Sequence, residues 1–429
     1  MIRKHHLLTL ALCATLTACA SENNTVDDSN AQADAGEQDT TEQDATQQDA
    51  TQQDATQQDT TSAPTTVRVA TYNASLYRQQ AGQLADDLAG GQDAQAKEVA
   101  EVLQRVRPDV VLINEFDWDA DGEAARIFQE EYLAVGQAGQ EALDYAHRYV
   151  PATNTGLSSG VDLDGDGQAT TEPGSNAYGN DSYGYGQFTG QYGMVIYSRY
   201  PIATDAIRSF QEFLWKEMPD SQMPADFYSE EAKDVMRLSS KNHVDVPVEI
   251  DGTTVHVLAS HPTPPAFDGP EDRNGRRNHD EVRLWLDYVT GGEQAAYLVD
   301  DSGVAGGLAD GAEFVVVGDL NTDPKDGDSR RGALVDLLAF AQDPQPTSEG
   351  GAQAGEDQGR ANAEHEGDHA LDTADFSDGR VGNLRVDYAL PSQGLSVTDS
   401  GVFWPAPGQP QAELVDVSDH HLVWVDLEL

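Results

Sequence analysis

Two cysteines, at positions 13 and 19, are all that 429 residues contain, so neither a disulfide framework nor a zinc-thiolate site can be built in the body of the chain. Lysine is nearly as scarce, with six among 25 basic residues, against 75 acidic ones and a formal net charge of −50. That balance excludes a protein that grips nucleic acid in a basic groove, because such binding draws on Lys and Arg neutralising phosphates. A polyanionic substrate would need metal cations beside it. An acid-rich, Lys-poor surface suits a salty external medium, where self-repulsion is screened.

Arg3 and Lys4 precede an apolar run from Leu7 to Ala18, which is too short for a membrane span and has the length of a secretory signal. The run closes Leu16-Thr17-Ala18-Cys19, which resembles the lipobox of a bacterial lipoprotein. The resemblance implies a signal peptide over residues 1–18, cleavage before Cys19 and a lipid on its thiol. Ala20 is not the Asp expected of inner-membrane retention, so an outer-membrane anchor facing the periplasm or the exterior is the expectation. Cys13 leaves with the signal, and the mature body then holds no nucleophilic thiol.

From Ala20 to Thr66 there is no basic residue and no aromatic one, and the unit Ala45-Thr46-Gln47-Gln48-Asp49 recurs from Ala50 and from Ala55. A segment of this kind has nothing with which to bury a core. Residues 19–66 therefore read as a lipidated, disordered tether, with a root-mean-square span of roughly 40 Å for a flexible coil of that length. Only 11 of the acids fall there, so residues 67–429 keep 64 acids and 23 bases, a net −41. At 38% hydrophobic overall the chain has enough apolar residues for a sizeable globular domain over 67–429.

That body opens with Val67–Asn73, whose alternation reads as a strand ending on a polar residue. A helix is expected over Ala81–Val106, stopped by Pro108, and Val110–Glu115 reads as a buried strand with a carboxylate at its end. Further strands are expected at Tyr192–Tyr197, at Val244–Ile250 and Thr254–Ser260 around the turn Asp251-Gly252, at Phe314–Gly318, at Leu384–Leu390 and at His421–Leu427. Helices are expected near Asn278–Val289 and Arg330–Phe340, and the polar stretch from Ser348 to Asp378 reads as a loop.

The recurrent feature is a strand closing on a polar residue, and α/β architectures gather catalytic groups at such ends. For any single position the plainer account is a turn-starting Asp or Asn. Asn73, Glu115, His261, Asp319, Asn321, Asp387 and the pair Asp419-His420 make that account harder to hold for all. Together they supply oxygen ligands and imidazoles without thiols, an inventory that suits Mg²⁺ or Mn²⁺.

In order and flanks these residues resemble the endonuclease/exonuclease/phosphatase superfamily across essentially all of 67–429. The resemblance rests on Ala70-Thr71-Tyr72-Asn73, the strand from Pro108 to Glu115, Ser260-His261, Gly318-Asp319-Leu320-Asn321, Arg385-Val386-Asp387-Tyr388 and Ser418-Asp419-His420. It implies a four-layer α/β sandwich, with two mixed sheets face to face, helices outside and the site at one edge. By the same resemblance, Glu115, Asn73 and Asp419 would hold the metal, and Asp319 would orient or deprotonate the attacking water. Asn321 would hold a phosphate oxygen, Asp387 would hold His420 against the phosphate, and His261 would be the second imidazole. His261 stands where apurinic-site repair enzymes carry a tyrosine, and the inositol-polyphosphate phosphatase segment Trp-Cys-Asp-Arg is absent. The likeness is thus nearer the secreted deoxyribonuclease and sphingomyelinase side.

Arg273, Arg276 and Arg277 form the one cluster of positive potential and are candidate substrate contacts; the competing reading pairs them with neighbouring acids. Asp162, Asp164 and Asp166, with Gly167 sixth in the run, begin like a Ca²⁺ loop, but Pro173 stands where a twelfth-position Glu belongs. The Tyr/Gly-rich run from Tyr178 to Tyr192 reads either as a stacking platform or as a packed surface loop, and His365 and His369 carry no assignment.

The expected activity is Mg²⁺- or Mn²⁺-dependent phosphoester hydrolysis by an extracellular nuclease or phosphodiesterase. The alternatives are a phosphatase or phospholipase-C-like enzyme on small organophosphates or head groups, which the −41 body charge favours, and an inactive surface binding module.

Overall fold

The computed structural model describes residues 65–429; Cys19 and the repeat tether lie outside the described residues. Thirteen strands are present there: β1 Thr66–Asn73, β2 Val110–Asn114, β3 His147–Tyr149, β4 Met194–Ser198, β5 Arg208–Ser209, β6 His243–Ile250, β7 Thr253–Ser260, β8 Glu313–Asp319, β9 Ala374–Asp375, β10 Asn383–Leu384, β11 Asp387–Pro391, β12 Ser396–Val402 and β13 Val423–Glu428. They form a six-stranded sheet in the order β12-β13-β1-β2-β4-β3, a five-stranded sheet in the order β11-β8-β7-β6-β5, and the short pair β10-β9.

Each large sheet contains one parallel pair, β1 with β2 and β7 with β8, and is otherwise antiparallel. Parallel neighbours need a long crossover. Helix Ala94–Val106 lies in the first, capped by the Asp93 carboxylate on the Ala96 amide, and helix Arg273–Thr290 lies in the second. The consequence is functional, because β1, β2, β7 and β8 carry their C-terminal ends, with Asn73, Glu115, His261 and Asp319, to the site.

Strand periodicity explains why those ends are polar and the rest is not. One apolar cluster contains Val67 and Val69 of β1, Val110 and Leu112 of β2, Val255, Val257 and Ala259 of β7, and Val315 and Val317 of β8. Two residues further along each series stand Asn114, His261 and Asp319, and Asn73 closes the β1 series after Thr71. A second cluster packs the other face of the first sheet under helices that include Ala94–Val106 and Glu123–Phe128, and a third packs the second sheet under Arg273–Thr290 and Gly332–Phe340. The result is the four-layer α/β sandwich, helix–sheet–sheet–helix.

Three elements differ from expectation. The helix expected over Ala81–Val106 breaks into Gln83–Leu88 and Ala94–Val106, because Gly90 and Gly91 between them adopt φ of 87° and 66°. The strand expected over Leu384–Leu390 divides into β10 and β11. The polar stretch after Ser348 is not all loop: Glu349–Gln358 is helical, started by the Ser348 hydroxyl accepting from the Gly351 amide. The turn between β6 and β7 has φ of 48° at Asp251 and 93° at Gly252, the two positive values a two-residue hairpin requires.

Candidate active site

Asp319 ends β8, and its placement begins with the glycine before it. A Cβ at Gly318 would lie 2.0 Å from the Ser260 carbonyl oxygen, so only glycine lets β8 pass this close to the end of β7. His261 is thereby brought to Asp319, with Nε2 3.4 Å from Oδ2. Asn73 Nδ2 donates to the same Oδ2 at 3.1 Å, and His420 Nε2 lies 3.7 Å from it. Asp319 Oδ1 accepts from the Asn321 amide at 2.9 Å. One carboxylate oxygen therefore faces three nitrogen-bearing side chains delivered by both sheets.

Burial pushes the Asp319 carboxyl up to about 7, with nearby Asp387 adding to the rise, while the charge on His420 and the Asn73 amide oppose it. His420 moves the other way from an ordinary buried imidazole. Burial disfavours its charged form, but Asp387, Asp319 and Asp419 overcome that cost and raise it to about 10. Its Nδ1 is 2.9 Å from Asp387 Oδ2, which also accepts from Thr373 Oγ1 at 2.9 Å. His261 is held neutral, well below the usual imidazole range, by burial and by the charges on Lys241 and His420; its Nδ1 is buried without a partner. The two imidazoles therefore differ in charge at neutral pH, and the difference follows from which one has a buried carboxylate on its far nitrogen.

Glu115 follows β2 in a left-handed conformation, φ 57°, unusual for a side chain with a Cβ and characteristic of functional bends. It lines a 1140 Å³ cavity with Asp319, Asn321, His261, His420 and the exposed Asp419. Burial pushes the Glu115 carboxyl up, opposed by His420, Lys241 and Asn73. Asn321, at φ 52°, turns its amide to the Pro262 carbonyl at 3.1 Å. Asp319, Asp387 and His420 also lie close enough together to hold a cation, but His420 Nδ1 is already bonded to Asp387. Glu115 has the Asn73 side chain and the Asp419 carboxylate beside it, and oxygen-bearing side chains of this kind fit a hard divalent cation.

Lys241, which the sequence reading passed over, lines the same cavity and is 7% exposed, with no carboxylate within 4.0 Å among the described residues. Burial pulls its pKa down, opposed by Glu281, Glu115 and Asp319. Its one sequence signal was its place as a lone lysine immediately ahead of the alternating β6. Thr373 was also missed, since nothing local marks a threonine whose hydroxyl meets Asp387 and accepts from the amides of Val386 and Asp387 at 3.0 Å each.

The three arginines are engaged differently. Arg277 lines the cavity but is buried, and its guanidinium donates to the carbonyls of Leu238, Tyr183 and Arg237 at 2.8, 2.6 and 2.9 Å. Arg276 bonds the Glu271 and Gln222 carbonyls and does not line the cavity. Arg273 reaches the cavity wall, paired with Glu271 and lying over the Phe227 ring. In the acidic loop, Asp162 and Asp164 gather with the buried Asp181 instead of Asp166, whose Oδ1 accepts from the Gln168 amide at 2.8 Å. Asp181 is itself engaged by the amides of Leu163 and Thr170. Within the Tyr/Gly-rich run, Tyr178 is buried, while Tyr192 packs on Tyr77 at 4.7 Å and lines the cavity with the exposed Tyr185. His365 and His369 each spend a ring nitrogen on a main-chain carbonyl, those of Val381 and Asn362.

Comparison with known proteins places this geometry in context. The family model described as "Endonuclease/Exonuclease/phosphatase family" matches residues 70–420. Among solved structures, an endonuclease/exonuclease/phosphatase from Beutenbergia cavernae DSM 12333 is 19% identical, covering 85% of this chain and 72% of its own, with a TM-score of 0.47. Sphingomyelinase C from Streptomyces griseocarneus is 15% identical over 84% of this chain and 99% of its own, TM-score 0.40. A Staphylococcus aureus beta toxin variant solved with bound magnesium ions is 14% identical over the same shares, 84% and 99%, TM-score 0.41. A search of curated proteins finds no match.

Proposed function

The chain belongs to the endonuclease/exonuclease/phosphatase family, whose members are divalent-metal hydrolases of phosphoester bonds, and we propose that it is a Mg²⁺- or Mn²⁺-dependent phosphodiesterase. The observation that carries this reading is the convergence of Asn73, His261 and His420 on one buried oxygen of Asp319.

Phosphoester hydrolysis needs a positioned water, charge compensation on the non-bridging oxygens and a stabilised leaving oxygen. Asp319, raised by burial, is a base poised near neutrality; it accepts a proton as the water oxygen attacks phosphorus and the bond to the leaving oxygen breaks. His420, held cationic by Asp387, donates from Nε2 to the phosphate. Neutral His261 and the Asn321 amide offer further donors to the same group, and Lys241 lines the same cavity as a further candidate contact. Glu115, with Asn73 and Asp419, would hold the cation, which supplies Lewis-acid neutralisation of the phosphate and leaving oxygens.

For substrate, the body charge of −41 weighs against long nucleic acid and for a small diester or a short nucleotide. Phospholipid head groups are the second reading, favoured by Phe267, which is 83% exposed at the cavity rim. The lipid expected at Cys19 would place the enzyme on the outer membrane, and the calcium expected near Asp162 would brace a surface loop.

The test is hydrolysis of plasmid DNA, bis(p-nitrophenyl) phosphate, p-nitrophenyl phosphate and a phosphatidylcholine head-group ester, with Mg²⁺, Mn²⁺, Ca²⁺ or chelator. Asp319→Asn runs beside the wild type. Metal-dependent turnover of a diester, lost by a thousandfold or more in the variant, supports the reading. Folded protein inert towards all four with every metal sinks it and favours a binding module.

A further inference from the structure

Helix Arg273–Thr290 is amphipathic in an uncommon sense, because the face it buries carries Asn278, Asp280, Glu281 and Asp287, all fully buried. Buried carboxylates are costly unless each oxygen is satisfied. Glu281 solves this with main chain alone: Oε1 accepts from the Ser240 amide and Oε2 from the Thr263 amide, both at 2.6 Å. Ser240 is the residue before Lys241, and Thr263 is two residues beyond His261. One turn earlier, Asn278 Nδ2 donates to the Thr263 and Leu320 carbonyls, each at 2.9 Å, and Leu320 joins Asp319 to Asn321. One turn later, Trp285 Nε1 donates to Ser260 Oγ at 2.9 Å.

The spacing 278, 281, 285 lies on one helix face. Its partners are the three chain segments that carry Lys241, His261 and the pair Asp319-Asn321. Those segments come from separate strand ends: the β7–β8 ladder stops at Ala259 and Val317, and the β6–β7 ladder at Ser260 and His243. The helix therefore supplies the cross-links that the sheet stops supplying at the edge where the site begins.

We infer that Asn278 and Glu281 are positioning residues that set the spacing of Lys241, His261 and Asp319 by gripping the main chain beside each. The inference rests on the phosphoesterase reading for its kinetic consequence but not for its structural one. Asp287 provides the control: it is equally buried on the same helix, yet it accepts from Gln294 and Tyr297, away from the site.

The experiment compares Glu281→Gln, Asn278→Ala and Asp287→Asn in the full chain. Readouts are kcat and KM for bis(p-nitrophenyl) phosphate with Mg²⁺, Tm, and amide hydrogen exchange at Ser240 and Thr263. A glutamine presents one N–H where Glu281 presents an acceptor, so one of the two amides loses its partner. Expected are a kcat at least tenfold lower with KM within threefold, and exchange at least tenfold faster at Ser240 or Thr263. Asp287→Asn should lower Tm without either change. Glu281→Gln and Asn278→Ala that keep full kcat and protected amides overturn the inference, as does a kcat loss that Asp287→Asn shares in proportion to Tm. If Glu281→Gln does not fold, Asn278→Ala decides on the same readouts. If the wild type turns over no ester while the amides respond as stated, the positioning claim stands and the phosphoesterase reading falls.

Discussion

Asp319 and Asp387 stand directly opposite each other in the antiparallel pairing of β8 with β11, and both are buried. Two carboxylates so placed repel, and His420 answers that repulsion: its Nδ1 is 2.9 Å from Asp387 and its Nε2 3.7 Å from Asp319. The cationic ring of His420 thus lies between the two carboxylates, bonded through Nδ1 to Asp387 and turning Nε2 towards Asp319.

Asp387→Asn removes the first-named of the charges that raise His420, so the imidazole should lose its proton several pH units earlier. The wild-type pH–rate profile is expected to be bell-shaped, rising as Asp319 ionises around pH 7 and falling towards pH 10, with both limbs belonging to the coupled group. In the variant the alkaline limb should move down by at least two pH units. The stability sign follows from the raised imidazole. The contribution of His420 is fully present below the unfolded-state value of about 6.5 and is lost as pH rises through about 10. An unmoved alkaline limb in Asp387→Asn would assign that limb to another group.

Glu115→Gln keeps the size of the side chain and halves its worth as a metal ligand. The Mg²⁺ concentration for half-maximal activity should rise at least tenfold. Chelator should abolish wild-type activity, and the Tm rise that Mg²⁺ gives the wild type should shrink in the variant. An unchanged Mg²⁺-induced Tm shift would move the metal away from Glu115.

Arg277→Met and Arg273→Ala test which of the two cavity-lining arginines serves the fold and which meets substrate. Arg277→Met leaves one buried and two half-buried carbonyls without this donor and should cost roughly 3 kcal/mol of stability, with KM unchanged in the folded protein. Arg273→Ala, at the cavity wall, should do the reverse, raising KM two- to fivefold at a nearly constant Tm. A raised KM in Arg277→Met would restore that residue to the substrate.

The strand-end residues were legible because each stands at the end of a strand-forming stretch: Asn73, Glu115, His261 and Asp319 close segments rich in Val, Leu, Ile or Ala. Asp387 and His420 were legible only through the ordered resemblance, since the chain brings them together across 33 positions. Thr373, Asn278 and Glu281 left no local mark, because their partners are main-chain or buried groups set by tertiary packing. The arginine cluster was legible as a cluster, but not the partners of its members. Three arginines at i, i+3 and i+4 do share one helix face, but their guanidiniums are engaged, Arg273 by Glu271 and Arg276 and Arg277 by main-chain carbonyls that only tertiary packing brings to them. The break at Gly90-Gly91 was readable in principle, whereas helix Glu349–Gln358, with three glycines, runs against propensity and is held by its Ser348 cap and by close packing of Gly350 on Trp404 and Gly355 on His369.

Lys241→Met tests whether the buried lysine of the cavity is there for substrate or for the fold. A buried ammonium without a carboxylate within 4.0 Å costs desolvation energy, and a methionine of similar volume would not. If the fold were its purpose, removing it should lower Tm and leave KM alone. If Lys241 is retained to meet the phosphate, KM should rise about tenfold, the worth of one charge-assisted hydrogen bond, while Tm holds or climbs by a few degrees. We expect the second result, because Glu281, Glu115 and Asp319 all favour the charged form while none sits near enough to neutralise it. Such a cation keeps its hydrogen-bonding capacity for an incoming anion, and the stability it forgoes is recovered only when the phosphate arrives.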